Sequence, residues 1–345
     1  MSDSSIISRK KDHININLDE DVSSERSTGL SAFHFLHNAL PEIDLSAVDT
    51  AQSIFGKVVR LPILISSMTG GTTQAAEINQ RLAIIAEKFG LAMGVGSQRV
   101  AIDNPNLSES FKIRKYSPSI LLFANIGAVQ LNYGYGLDEC KQAIDMIDAD
   151  ALILHLNPLQ EAIQLNGNTN FGGLLNKIEE ICKLLNKPVI IKEVGWGISS
   201  DLAEKLVNVG VSGIDVSGAG GTSWSQVERY RLKNEGDIRV AESFRDWGIP
   251  TADALLQLVE KKINALIISS GGLQTGMDIA KSIAIGANLA GMASTFLKKA
   301  VASIDDLSNE VKIIERIIRI SMFVTGSQNI AQFQNSKILK SEKPS

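Results

Sequence analysis

Eight short apolar runs, each ending in small or polar residues, set the strongest limit on what this chain can fold into. They are Leu61 to Met68, Leu91 to Gly96, Ile120 to Gly127, Ala151 to Asn157, Pro188 to Val194, Gly213 to Gly218, Ala265 to Gly272 and Ala287 to Ser294. Their apolar character is continuous rather than alternating, which marks strands buried on both faces, as in a parallel sheet. Helical patterns lie between them. Ala75 to Phe89 carries Ile78, Leu82, Ile85, Ala86 and Phe89 near the helical period, and Gly90 stops it. Asp201 to Val209 and Gly276 to Ile285 are also followed by glycine. Strand–helix alternation repeated eight times, mostly every 25 to 35 residues or so, predicts an α/β fold of the (β/α)8 TIM-barrel type. The interval between Gly218 and Ala265 is longer and holds a polar stretch from Trp224 to Asp246. That stretch is expected to be a loop or helix inserted over the barrel mouth.

A doubly wound sheet would gather its ligands at one switch point beside one glycine-rich turn. Here nearly every strand ends in Gly, Ser, Asn, Lys or His, as a barrel mouth requires. Barrels of this kind often exceed about 250 residues as one domain, so the 345 residues are read as a single domain. Residues 1–51 form an N-terminal arm packed on the barrel in this reading. Val311 to Val324 forms an apolar C-terminal helix, capping the barrel or meeting another subunit. Residues 327–345 are read as a polar, frayed tail.

The net charge of −4 shows no basic face for nucleic acid. The one basic cluster, Arg9-Lys10-Lys11, reads on composition alone as a solvated tail. Cys140 and Cys182, set among apolar residues in apparent helices, read as structural thiols of a reducing compartment. No apolar run approaches the roughly 18 residues of a membrane span, and Met1-Ser2-Asp3-Ser4-Ser5 has no signal-peptide character. A cytoplasmic protein is expected.

Barrels bind phosphate through backbone amides of the loops after strands seven and eight. Ser269-Ser270-Gly271-Gly272-Leu273, with Thr275-Gly276 beyond it, and Gly291-Met292-Ala293-Ser294 supply small residues at those two places. Ser217-Gly218-Ala219-Gly220-Gly221-Thr222 adds a third such loop, whose glycines are best explained by a ligand pressed against the backbone. Lys192 at the end of strand five needs an anionic partner. That partner is either a carboxylate such as Glu193 or Asp215, or an electron-rich cofactor ring. Ser67-Met68-Thr69-Gly70-Gly71 and Asn125 offer further contacts. Arg99, after Ser97-Gln98, suits a phosphate or carboxylate. Arg9-Lys10 could close on an anion if the arm folds over the mouth. Strand four ends His155-Leu156-Asn157-Pro158-Leu159-Gln160-Glu161, which places His155 and Asn157 on one face. A lone carboxylate among neutral polar groups suits Mg²⁺ better than zinc.

Taken in order, Arg9-Lys10-Lys11-Asp12-His13, Met68-Thr69-Gly70-Gly71, Gly96-Ser97-Gln98-Arg99, His155-Leu156-Asn157 with Gln160-Glu161, Lys192-Glu193-Val194-Gly195-Trp196-Gly197-Ile198-Ser199 and Gly220-Gly221-Thr222-Ser223-Trp224 resemble the type 2 isopentenyl-diphosphate delta-isomerases. The resemblance runs from about residue 9 to residue 300. It implies FMN on Ser67, Met68, Thr69, Ser97, Asn125, Lys192, Ser217, Thr222, Gly271, Gly272, Leu273, Ala293 and Ser294. It implies a diphosphate substrate on Arg9, Lys10, Ser97, Gln98, Arg99, His155, Asn157 and Gln160, and Mg²⁺ on Glu161. Lys192, His155 and Gln160 would carry the chemistry. A homo-oligomer, tetramer or octamer, is implied too. One segment departs: Gln164-Leu165-Asn166-Gly167-Asn168 stands where the family usually has a proline and an acidic residue.

The implied reaction is a 1,3-proton shift without net redox change, and no carboxylate pair is evidently placed for it. Reduced FMN is therefore expected to serve as the acid–base reagent, with NAD(P)H needed only as its reductant. FMN-dependent 2-hydroxy-acid oxidoreductases share such a barrel but use a histidine in the sixth-strand loop. This chain has no histidine after His155. A non-catalytic ligand-binding barrel would need neither Glu161 nor the basic arm.

Overall fold

The structure, a computed structural model, describes residues 3–341. All eight apolar runs are strands of one closed, wholly parallel barrel. In chain order they are Ile63–Ile65, Ala92–Gly94, Leu122–Gly127, Ala151–His155, Val189–Lys192, Gly213–Asp215, Leu266–Ser270 and Leu289–Met292. The eighth pairs back onto the first, Gly291 opposite Leu64.

The runs lack alternation because each strand faces two apolar layers. Leu64, Phe123, Ile153, Ile190 and Ile268 fill the barrel interior, while Ile63, Ile65, Leu122, Leu152 and Ile191 join the core beneath the outer helices. The lower end is plugged by a hairpin, Gln52–Ile54 with Lys57–Val59, whose Ile54 and Val59 belong to the interior layer. Its two turn residues, Phe55 (φ 49°) and Gly56 (φ 77°), are both left-handed, as a tight two-residue hairpin turn requires. With one end plugged, ligands enter only at the other.

The helix after strand one spans Thr73–Phe89, capped by the Thr72 hydroxyl and ended by left-handed Gly90. The insert between strand six and strand seven forms two short helices, Trp224–Arg229 and Glu235–Glu242. The C-terminal helix starts earlier than its apolar pattern, at Ile304, because Ser303 caps an acidic first turn, Asp305-Asp306. Its buried stripe is Leu307, Val311, Ile314, Ile318 and Met322.

The frayed tail expected after residue 326 is corrected. Ile330–Gln334 is a short helix with Ile330 and Phe333 buried. Ile338–Lys340 pairs antiparallel with Phe33–Phe35 of the arm, and Phe333 stacks on Phe35 at 5.5 Å between ring centroids. Two apolar anchors suffice when a strand distant in sequence supplies their partner. Local composition cannot reveal that partner. Among the described residues no helix is long and apolar enough to cross a membrane.

Candidate active site

The strand ends open into a cavity of about 440 Å³, within the range of small-molecule sites. The arm helix, Asp3–Asp19, crosses it, with Arg9, Lys10, His13 and Asn17 among the lining residues. The solvated-tail reading of the basic cluster thus fails for Arg9 and Lys10. Lys10 Nζ donates to the Ser97 carbonyl at 3.0 Å. Burial, with the Arg9 charge beside it, lowers the Lys10 ammonium to about 8. The chain beyond the helix is sewn to the mouth. Ser24 N donates to Gly221 O at 2.8 Å and Ser223 N to Val22 O at 2.8 Å, and Arg245 pairs with Asp21 at 2.5 Å.

The glycines after strands six and seven have a reason beyond the one expected. The two loops lie backbone against backbone. A Cβ on Gly221 would stand 2.6 Å from the Gly272 Cα, and side chains at Gly271 and Gly272 would run into the Gly218 and Gly220 backbones. A Cβ on Gly220 would meet the Thr28 backbone of the arm. A ligand presses on one side of this seam at most. Gly272 is also left-handed (φ 76°). Gly272→Ala is expected to lower stability by about 2–4 kcal/mol, from left-handed strain and overpacking together, as read by urea denaturation.

Beside the seam, Ser217, Thr222, Gly271, Gly272, Leu273, Ala293 and Ser294 line one pole of the cavity. Next to them, after strand one, which pairs with strand eight, come Ser67, Met68 and Thr69. The buried hydroxyls of Ser66, Ser67 and Thr69 have no hydrogen-bond partner among the described residues. Unpaired buried polar atoms cost about 1–3 kcal/mol each, so a polar ligand is the economical explanation. Ser97, Asn125 and Lys192 complete this wall. Lys192 has the carboxylate partner expected, Asp215 at 3.3 Å, and also lines the cavity.

The other pole gathers Arg9, Lys10, Arg99, His155, Asn157, Gln160 and Glu161. Gln98 does not join it. Its side chain is fully buried, donating to Ala143 O at 2.8 Å and accepting from Asn125 N at 2.9 Å. It is a strut between strands two and three rather than a substrate ligand. Glu161 accepts from Asn157 Nδ2 at 3.0 Å, from Asn168 N at 2.5 Å and from Gln164 Nε2. The loop that departs from the family pattern thus wraps this carboxylate, and Asn168 Oδ1 accepts from Arg99 at 3.1 Å.

His155 Nδ1 bonds Asn125 Oδ1 at 2.8 Å. Burial first, then the charges of Lys192 and Lys10, lower its imidazolium to about 3 from an ordinary 6.5. The folded-state value is depressed, so the stability linked to neutral His155 is complete above about pH 6.5 and is lost as pH falls toward 3. The expected slope in that window is up to about 1.4 kcal/mol per pH unit. Urea titrations at pH 7 and pH 5 check it against His155→Gln, in which this component should vanish.

Sequence reasoning missed Glu228. It lies in the first insert helix, its carboxylate almost wholly buried. It accepts from His13 Nε2 at 3.0 Å, Gln160 Nε2 at 3.1 Å and Arg231 at 2.7 Å. Burial alone would raise it, but these partners outweigh burial and bring it to about 2. Trp224, four residues earlier and edge-on to His13 at 5.1 Å, was the available signal. That spacing puts both side chains on one helix face.

A family model for FMN-dependent dehydrogenases matches residues 158–340. An isopentenyl-diphosphate delta-isomerase of Nostoc sp. (strain PCC 7120) is 52% identical over 334 residues, covering 96% of this chain and 95% of that protein. One from Rickettsia africae (strain ESF-5) is 51% identical over 332 residues, with 96% and 97% covered. Among solved structures, mandelate oxidase with (S)-2-phenylpropionate superposes with a TM-score of 0.67 at 16% identity, covering 99% of this chain and 98% of that one. A flavocytochrome b2 variant gives 0.67 at 16%, covering 98% and 86%. At such identities the two structures speak for the fold alone.

Proposed function

The chain belongs to the isopentenyl-diphosphate delta-isomerases, on the barrel of the wider FMN-dependent dehydrogenase family, and on that footing we propose that it interconverts isopentenyl and dimethylallyl diphosphate by a 1,3-allylic proton shift. The observation that carries the proposal is the two-poled cavity. A glycine- and hydroxyl-lined wall faces a cationic pole in which Glu161 stands beside Arg9, Lys10 and Arg99.

The first pole fits FMN. Unpartnered hydroxyls on strand one, exposed loop backbone and the start of the helix Ser294–Ala302 suit a ring with a phosphate tail. The second fits Mg²⁺. Glu161 Oε1 accepts a hydrogen bond from Asn157 Nδ2, whose own Oδ1 is buried without a partner among the described residues. Adjacent oxygen donors with room for water suit a hard cation that also takes substrate phosphate. When bound and reduced, FMN supplies the acid–base chemistry at the allylic carbons, and NAD(P)H serves only to reduce it.

The chain's own residues do the rest. Arg9, Lys10, Arg99 and His155 hold the diphosphate, with neutral His155 as a hydrogen-bonding group rather than a charge. Lys192 presents an ammonium to the ring. The arm helix keeps bulk water out. Gln160 Nε2, anchored on Glu228 Oε1, fixes a polar amide at the cavity wall beside Asn157. The loop after strand six, Ser217 to Gly221, has no histidine, which a 2-hydroxy-acid oxidoreductase would carry there. In this reading the protein is cytoplasmic and a homo-oligomer, tetramer or octamer. Ile313 and Ile320, exposed on the C-terminal helix, support a subunit contact.

One experiment tests the function. The purified protein's visible spectrum is recorded, then isopentenyl diphosphate, Mg²⁺ and a flavin reductant are added anaerobically in D₂O. A flavin spectrum and deuterium in the C5 products are expected. The absence of both rejects the reading.

A further inference from the structure

We propose that Asp215 is a positioning residue that acts through Lys192, fixing the ammonium that faces the flavin. The proposal rests on the FMN reading above. Asp215 ends strand six and is wholly buried. In register it stands directly beside Lys192 on strand five, and the ion pair between them spans 3.3 Å. Its other oxygen accepts from Ser270 Oγ on strand seven at 2.5 Å and from Ser217 N at 3.2 Å. One carboxylate therefore joins three adjacent strands at the level where the barrel opens.

The layer beneath is apolar, Ile190 on strand five and Ile268 on strand seven. A buried charge pair adds little stability over apolar side chains, so packing alone gives no reason to change to charge at this level. Direction does. An ammonium has three N–H donors. Lys192 spends one on the Glu193 carbonyl at 2.9 Å, and the charge of Asp215 Oδ2, which has no hydrogen-bond partner among the described residues, holds the ammonium 3.3 Å away at the cavity wall. Freed from Asp215, the flexible lysine stem has other places to go. The same carboxylate holds Ser217, a cavity residue, at φ 36°, a left-handed conformation that is strained for a residue with a side chain.

Asp215→Asn separates these two jobs. The amide oxygen can still accept from Ser217 N and Ser270 Oγ, but the counter-charge for Lys192 is gone. FMN content of the unsubstituted protein is measured first; if no flavin binds, the functional reading fails and this inference is not what has failed. The FMN dissociation constant of the apoprotein and the midpoint potential of the bound flavin are then measured for D215N, K192M and the double variant. The expected result is at least tenfold weaker FMN binding and a shifted potential in D215N, with less than a twofold further effect of D215N once Lys192 is Met. Equal effects in both backgrounds overturn the proposal, because the carboxylate then acts by its own charge or on general stability. No effect in folded D215N also overturns it. If D215N does not fold, Ser270→Ala, which removes only a hydroxyl that orients the carboxylate, is expected to weaken FMN about threefold with Lys192 present and not in its absence; an unchanged affinity overturns the proposal.

Discussion

Glu161→Ala should abolish isomerisation and leave the flavin bound. Among the described residues gathered in the cationic pole, Glu161 is the carboxylate that lines the cavity, and Glu228, behind Gln160, is already occupied by His13, Gln160 and Arg231. A metal supplies several kcal/mol of charge stabilisation, equivalent to a loss in kcat/KM of about three orders of magnitude or more. The flavin pole lies across the cavity, and none of its residues is among Glu161's hydrogen-bond partners, Asn157, Gln164 and Asn168. Turnover against Mg²⁺ concentration gives the first half of the test and the flavin absorbance the second. Glu161→Gln, which preserves the shape that the wrapping loop surrounds, should fail equally. Turnover that survives either substitution would falsify the metal assignment.

Glu228→Gln should lower kcat by about 10²-fold, the scale on which a small misplacement of a positioned group costs rate, with KM changed far less. The carboxylate does not line the cavity. It stands behind Gln160 and His13 and receives both, along with Arg231. An amide keeps its size but not its charge. Arg231 is left facing a neutral group, and one amide face turns its own N–H toward a donor. Gln160 loses the strong acceptor that aims it. If Glu228 were only a brace for the insert, E228Q would lower the melting temperature without separating kcat from KM, and that outcome would dismiss its role in aiming Gln160.

Most of the barrel was legible because it is written in local terms. Continuous apolar runs such as Val189–Lys192 report two buried faces, and glycines such as Gly90 report helix ends. What was not legible depends on partners far away in sequence. Phe333 and Ile338 look like members of a polar tail until Phe35 and the arm strand are beside them. The site divides in the same way. Residues at strand ends, His155, Lys192 and Asn125, were found because a barrel directs its strand ends to one mouth. Gln98 sits in the same motif as Ser97 and Arg99, yet a one-residue step turns its side chain into the wall. Glu228 is carried by a short insert helix whose one hint is Trp224 four residues earlier, and the partners that hold it, His13 and Gln160, lie far away in sequence. The glycines were located correctly and explained incompletely, since a sequence shows that backbone must approach something but not that the something is another loop.

The seam of loops carries one more meaning. Gly220 touches Thr28, and Ser23 pairs with Thr222, so the arm that closes one pole rests on the loops that line the other. Two ligands bound to opposite faces of such a joint are thermodynamically linked, and linkage is reciprocal. Whatever factor the cofactor adds to the affinity for diphosphate by steadying the arm, the diphosphate must return to the cofactor. Retention of the flavin is then a property of the substrate supply as well as of the protein.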